Sequence, residues 1–216
     1  MNRAVKKLVE RGELLFNAPK MPVRFTSDVD ADKLLNDLSG YPHAFVLACI
    51  MDRQVKAERA WAIPYRLSKR LGNFKFTTLA KLSLSDIKRL MSKPDPLHRF
   101  VDTMSVSMHA GIHRIADQYN GDASRIWADT PPSAEVVYRL LQFRGIGPKI
   151  ATMAANILAR DFKVRFSDHY SIDISADVHV KRVFGRLGLC APEASVEQVV
   201  YRARSLYPQG NRFCCL

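Results

Sequence analysis

Apolar positions along the chain recur with a helical period almost throughout. Val5, Leu8, Val9, Leu15 and Phe16 mark a first amphipathic helix, interrupted at Gly12, and Pro19-Lys20-Met21-Pro22 reads as the linker that ends it. Leu34, Leu35 and Leu38 form a stripe behind the candidate caps Asp28 and Asp30, with Ser39-Gly40 as a stop signal. Ala44 to Met51 is apolar nearly all round, which predicts an enclosed helix rather than a surface one. From Gln54 the helical spacing runs past Trp61 to Leu71, and Pro64 predicts a kink or a break. Ser83 and Asp86 have capping-box spacing. Pro94-Asp95-Pro96 predicts the start of a long helix through Leu97, Phe100, Met104, Met108, Ile112 and Ile115, ended by Asn120-Gly121. Ser133 predicts the cap of a helix reaching Phe143, and Pro148 opens another that reaches Arg160. Asp177 to Leu187 forms the next, and Ser195 with Gln198 caps the last. Residues 162–175 read as irregular, with Phe162 to Phe166 the one strand candidate. The pattern predicts an all-α fold.

With 216 residues and 47% hydrophobic content, the chain is long and apolar enough for one large or two small cores, which excludes wholesale disorder. Charge adds the first functional hint. Thirty-three Lys and Arg against 21 Asp and Glu leave a formal charge of +12, a surface that attracts polyanions, nucleic acid foremost. No run approaches the roughly 18 to 20 apolar residues of a membrane span. Met1 to Phe16 lacks a secretory apolar core, and Glu10 and Glu13 argue against a transit peptide. Cys49, Cys190, Cys214 and Cys215 show no disulfide-framework spacing. These features predict a soluble intracellular protein, in the cytoplasm or nucleoid of a prokaryote or the nucleus of a eukaryote.

The most specific segment is Leu140-Leu141-Gln142-Phe143-Arg144-Gly145-Ile146-Gly147-Pro148-Lys149-Ile150-Ala151. One helix ends, a Gly-Ile-Gly turn follows and a second helix begins. Gly145 and Gly147 permit positive φ and close approach of another backbone. Pro148 suits a first helical position, and Ala151, Ala154 and Ala155 allow tight helix packing. Such a turn offers backbone N–H groups at the positive end of a helix, a site for a phosphate oxygen that holds DNA without reading sequence. A plain αα-hairpin with a glycine loop is the bland alternative. Lys149 falls in the first turn, where the dipole favours the uncharged amine that a Schiff-base nucleophile needs. Taken alone, it reads more readily as a phosphate-binding surface lysine.

Together with Asp177-Val178-His179-Val180-Lys181-Arg182-Val183, the Gly145 to Ala151 segment resembles the helix-hairpin-helix–Gly/Pro–Asp superfamily of DNA glycosylases, and its endonuclease III branch in particular. The resemblance implies a two-lobed helical fold. Lys149 is then the nucleophile and Asp177 the catalytic carboxylate, while Gly145, Gly147, Ile150 and Ala151 contact DNA. Gln54, within Ala44 to Glu58, matches more loosely the glutamine that fills the hole left by the extruded base. The implied activity is a base-excision-repair glycosylase with AP-lyase activity on an oxidised base. The partner is double-stranded DNA carrying a damaged base or an abasic site, met by a monomer. Asp177 also suits a helix N-cap, and both roles are compatible. A glycosylase without lyase activity and a non-catalytic helix-hairpin-helix binder are the rival readings.

The expected lobes are residues 28–160, ending in the hairpin at 133–160, and residues 1–27 with 161–216. His179 and Arg182 are expected to be structural. Asp168, His169 and Asp173 are read as loop residues without metal-ligand spacing, and no metal site is expected. Endonuclease III carries a [4Fe–4S] cluster on four C-terminal cysteines. Here Cys214 and Cys215 are adjacent, which does not match cluster spacing, so no cofactor is expected in this chain, either as a cluster-free branch or as a shortened form of a cluster-bearing one. Phe143-Arg144 in place of the customary Leu-Pro, and a long connector from Arg160 to Ser175, put substrate identity in doubt more than reaction class.

Overall fold

The structure, a computed structural model, describes residues 3–207, and among them the secondary structure is helical, with no strand. The Phe162 to Phe166 run is irregular, so the strand candidate is not realised. The chain groups into two compact units. One comprises Pro22–Asp129 and Arg139–Ile146, the other the described residues of Met1–Met21, Thr130–Tyr138 and Gly147–Leu216. Residues 130–138 and 147–160 thus group with the two ends of the chain instead of with the rest of residues 28–160 as expected.

The first unit is built around an enclosed helix. Its helices are α2 (Val29–Asn36), α3 (Pro42–Met51), α4 (Ala57–Trp61), α5 (Ile63–Leu71), α6 (Phe76–Leu79), α7 (Leu84–Ser92) and α8 (Val101–Tyr119), followed by a 3-10 turn at Ala123–Ile126. All ten residues of α3 are buried, as its unbroken apolar composition predicts. α2, α4, α5, α8 and the 3-10 turn pack around it. Asp28 caps α2 by accepting from the amides of Asp30 and Ala31, and Ser83 and Asp86 form the expected capping box on α7. α8 approaches α3 closely at Gly111, where a Cβ would lie 2.5 Å from Ile50 Cδ1. One expectation shifts here and another is met. Pro94 to Phe100 is not helical, so α8 starts at Val101. Pro64 opens α5 after a break at Ala62.

Two buried histidines brace this unit. His43 Nε2 lies 2.8 Å from the Phe74 carbonyl, and burial lowers its pKa. His98 Nδ1 accepts from the Phe100 amide, which leaves the proton on Nε2. Burial lowers the His98 pKa as well, against the Met51 and Arg53 carbonyls, which favour its protonated form.

The second unit holds α1 (Arg3–Asn17), α10 (Pro148–Arg160), α11 (Val178–Arg186) and α12 (Val196–Leu206). α1 is continuous, with Gly12 buried inside it instead of interrupting it. Its Val5 joins Ile174, Ala176, Phe184, Leu189, Val199 and Ala203 in one apolar core. α10 turns its small residues Ala151, Ala154 and Ala155 inward and packs on α1. Ser195 and Gln198 make the expected capping box on α12.

Candidate nucleic-acid interface and catalytic residues

The helix-hairpin-helix is formed by α9 (Ser133–Leu141), a turn and α10. Residues 139–146 belong to the first unit, and the turn is anchored there by its apolar side chains. Phe143 is buried, stacks on Tyr119 at 6.2 Å between ring centroids and lies beneath the Arg114 guanidinium. The Phe143 carbonyl accepts from the Ile146 amide at 3.0 Å, which closes the turn around Gly145. Gly145 has φ +99°, a conformation that L side chains rarely adopt. Position 143 thus takes an aromatic where the family's Leu-Pro is customary, and uses it as an anchor.

From Gly147 the chain belongs to the second unit. Gly147 is the N-cap of α10 at φ −100° and ψ 177°, an extended conformation open to any residue. The expected positive φ is therefore found at Gly145 and not at Gly147. What distinguishes Gly147 is space, because nothing lies within 4 Å of a Cβ built there. Having no side chain, Gly147 cannot cap the helix, and Pro148 at the first position has no N–H to offer. The amides of Lys149 and Ile150, within the first turn, have no acceptor among the described residues, so they suit an external anion. Lys149 is exposed and Ile150 half-buried. Ala151, expected to contact DNA, is buried, and its N–H donates to the Gly147 carbonyl at 2.9 Å; it packs the helix instead of facing a ligand.

Asp177 sits in the same unit, at the start of α11. Its Oδ1 accepts from the amides of His179 and Val180, each at 2.9 Å, which makes it the N-cap. Oδ2 makes no hydrogen bond among the described residues. His179 and Arg182, expected to pack structurally, are both exposed on α11. Gln54 belongs to the first unit. It is exposed, with φ +54°, in the turn between α3 and α4, not on a helix as the continuous spacing predicts.

The long connector between α10 and α11 is held by contacts that sequence reasoning missed. Ser133 Oγ donates to Asp168 Oδ1 and accepts from the Ser171 amide at 3.0 Å. Ser133 is the first residue of α9, so it ties down the connector instead of capping the helix. Arg204 grips Asp173 through two bonds of 2.6 and 2.7 Å. Lys163 donates to the Phe16 carbonyl at 2.6 Å, and His169 meets the Phe16 ring edge-on. These partners are 31 residues or more apart in sequence, so no local pattern could announce them. Asp168 and Asp173 thus hold the loop that delivers Asp177 to the start of α11.

Among the described residues, no group of three His, Cys, Asp or Glu side chains could hold a metal ion, and no helix is long and apolar enough to cross a membrane. Cys214 and Cys215 lie outside the described residues. Cys49 is buried in the first unit and Cys190 half-buried in the second.

An all-helical chain with a glycine-turn hairpin and a following aspartate-capped helix defines a helix-hairpin-helix protein. The family model described as HhH-GPD superfamily base excision DNA repair protein matches residues 47–209, and the chain belongs to that superfamily. Solved structures agree on the fold. A trapped endonuclease III–DNA covalent intermediate aligns with a TM-score of 0.58 at 16% identity, covering 98% of this chain and 84% of the other. A non-covalent endonuclease III–DNA complex gives 0.56 at 17% identity, with 98% and 83% covered. The 8-oxoguanine glycosylase/lyase of Clostridium acetobutylicum, bound to duplex DNA with cytosine opposite 8-oxoguanine, gives 0.57 at 16% identity, with 99% and 73% covered. No curated protein sequence matches this chain.

Proposed function

We propose that this protein is a DNA glycosylase with AP-lyase activity that removes an oxidised base from duplex DNA, with Lys149 as nucleophile and Asp177 as the catalytic carboxylate. The observation that carries the reading is that one compact unit holds two helix starts of complementary chemistry. One is uncapped and bears an exposed lysine; the other is capped by an aspartate that keeps Oδ2 uncommitted. Family membership and neighbours solved as covalent and non-covalent DNA complexes support it.

In this reading the amides of Lys149 and Ile150 and the open space over Gly147 receive a backbone phosphate, which fixes the duplex without reading sequence. The +12 charge supplies long-range attraction. The damaged nucleotide leaves the stack at a cost of a few kcal/mol, and the family resemblance assigns Gln54 to fill the gap. As the glycosidic bond breaks, its electron pair departs with the base, and positive charge grows on the sugar. The Asp177 carboxylate stabilises that charge. The Lys149 amine bonds to C1′ and gives up a proton, for which Asp177 is the acceptor. Ring opening yields an imine, and loss of a proton from C2′ then expels the 3′ phosphate by β-elimination. None of these steps needs a redox centre.

Borohydride reduction of the imine on an abasic duplex tests the reading. Wild type should give a covalent adduct that Lys149→Ala loses. Asp177→Asn should remain folded, since Asn caps a helix as well as Asp, yet lose base release. Base release without an adduct would leave a glycosylase that has no lyase step. Salt-sensitive binding with neither product would leave a DNA-binding module.

A further inference from the structure

The exposed side of α8 carries two imidazoles one turn apart. His109 and His113 sit at i and i+4, with Nε2 atoms 3.1 Å apart and ring centroids 4.3 Å apart. Their backbone is rigidly held, because Met104, Met108, Ile112 and Ile115 on the opposite face are buried and Gly111 seats the helix against α3.

Two nitrogens that share one ion at about 2.0–2.1 Å, at angles between square and tetrahedral, are separated by roughly 2.9–3.4 Å. The observed separation falls inside that window, so neither side chain has to move far to chelate. In the metal-free pair one Nε2 carries the hydrogen and the other accepts it. We propose that His109 and His113 form a two-histidine chelate for a divalent transition-metal ion, with water completing the coordination. On binding, the shared hydrogen leaves Nε2 and the donor ring takes a proton on Nδ1 from solvent, so neutral rings release no net proton. Imidazole donors suit Cu2+, Ni2+ and Zn2+ and disfavour Mg2+ and Ca2+. The site lies wholly in the first unit and takes no part in the proposed base excision, so the two readings stand or fall separately.

Untagged full-length protein titrated with Ni2+ alone, at pH 7.5, provides the test by calorimetry. Wild type should bind one equivalent that both His109→Gln and His113→Gln lack, while any uptake by the cysteines stays the same in all three. Because His113 is exposed, His113→Gln should keep the wild-type melting temperature, and this variant decides the matter if His109→Gln folds poorly. With Cu2+, the electron paramagnetic resonance spectrum should show two equivalent nitrogens in wild type and one in His113→Gln. Identical Ni2+ stoichiometry and affinity in wild type and His113→Gln would overturn the site and reduce the pair to a hydrogen bond.

Discussion

Within three residues of one turn, glycine serves two different ends. Gly145 is required by its conformation, with φ +99°, while a Cβ there would meet Ile50 Cγ2 only at an ordinary 3.6 Å. Gly147 is conformationally ordinary and spatially open. Alanine should separate the two. Gly145→Ala should lower stability by about 1–2 kcal/mol, the cost of placing an L residue in left-handed backbone. Gly147→Ala should melt like wild type yet bind abasic duplex more weakly, because its methyl occupies the space assigned to a phosphate. Thermal melts and fluorescence-anisotropy titrations on both variants check this, and unchanged DNA affinity in Gly147→Ala would remove the phosphate from that position. The sequence marked both glycines as special but could not divide the roles, since φ depends on where Phe143 anchors the turn. Ala151 shows the same limit. Its place in the motif suggests a ligand contact, and only the packing of α10 reveals that it is buried.

At the scale of elements, the helices legible beforehand are those whose ends carry their own chemistry. Asp28, Ser83, Ser195 and Pro148 each mark a boundary by a local hydrogen bond or a fixed φ, and each boundary lies where the sequence places it. Helical spacing predicts too early a start for α8, because Leu97 keeps that spacing while its amide bonds to the Met91 carbonyl in a turn. The connector before α11 was illegible because its clamps, Ser133 with Asp168 and Arg204 with Asp173, are long-range. Contact between α3 and α8 was likewise hidden, since Gly111 looks like a weak point in a helix until Ile50 is seen against it. Gly111→Val should therefore destabilise the protein by about 1–3 kcal/mol through overpacking, measured by urea denaturation. A variant as stable as wild type would mean that the two helices separate at little cost.

For the molecule as a whole, the two buried histidines link stability to acidity. His43 and His98 both have folded-state values below the ordinary imidazole value of 6.5, so the unfolded chain binds more protons as pH falls through that value. Their contribution is present above about pH 6.5 and is lost progressively below it. The melting temperature should decline between pH 7.5 and 5, and His43→Gln should flatten that decline; a pH-independent melt across the range would contradict the assignment. The complete enclosure of α3 has its own consequence. A helix without a wetted side has no route to partial solvation, so its amides should exchange with deuterium only when the surrounding helices separate. Three residues beyond the enclosed run of α3, where Gln54 stands exposed, exchange should be fast, which puts a steep kinetic boundary at the root of the segment assigned to replace the missing base.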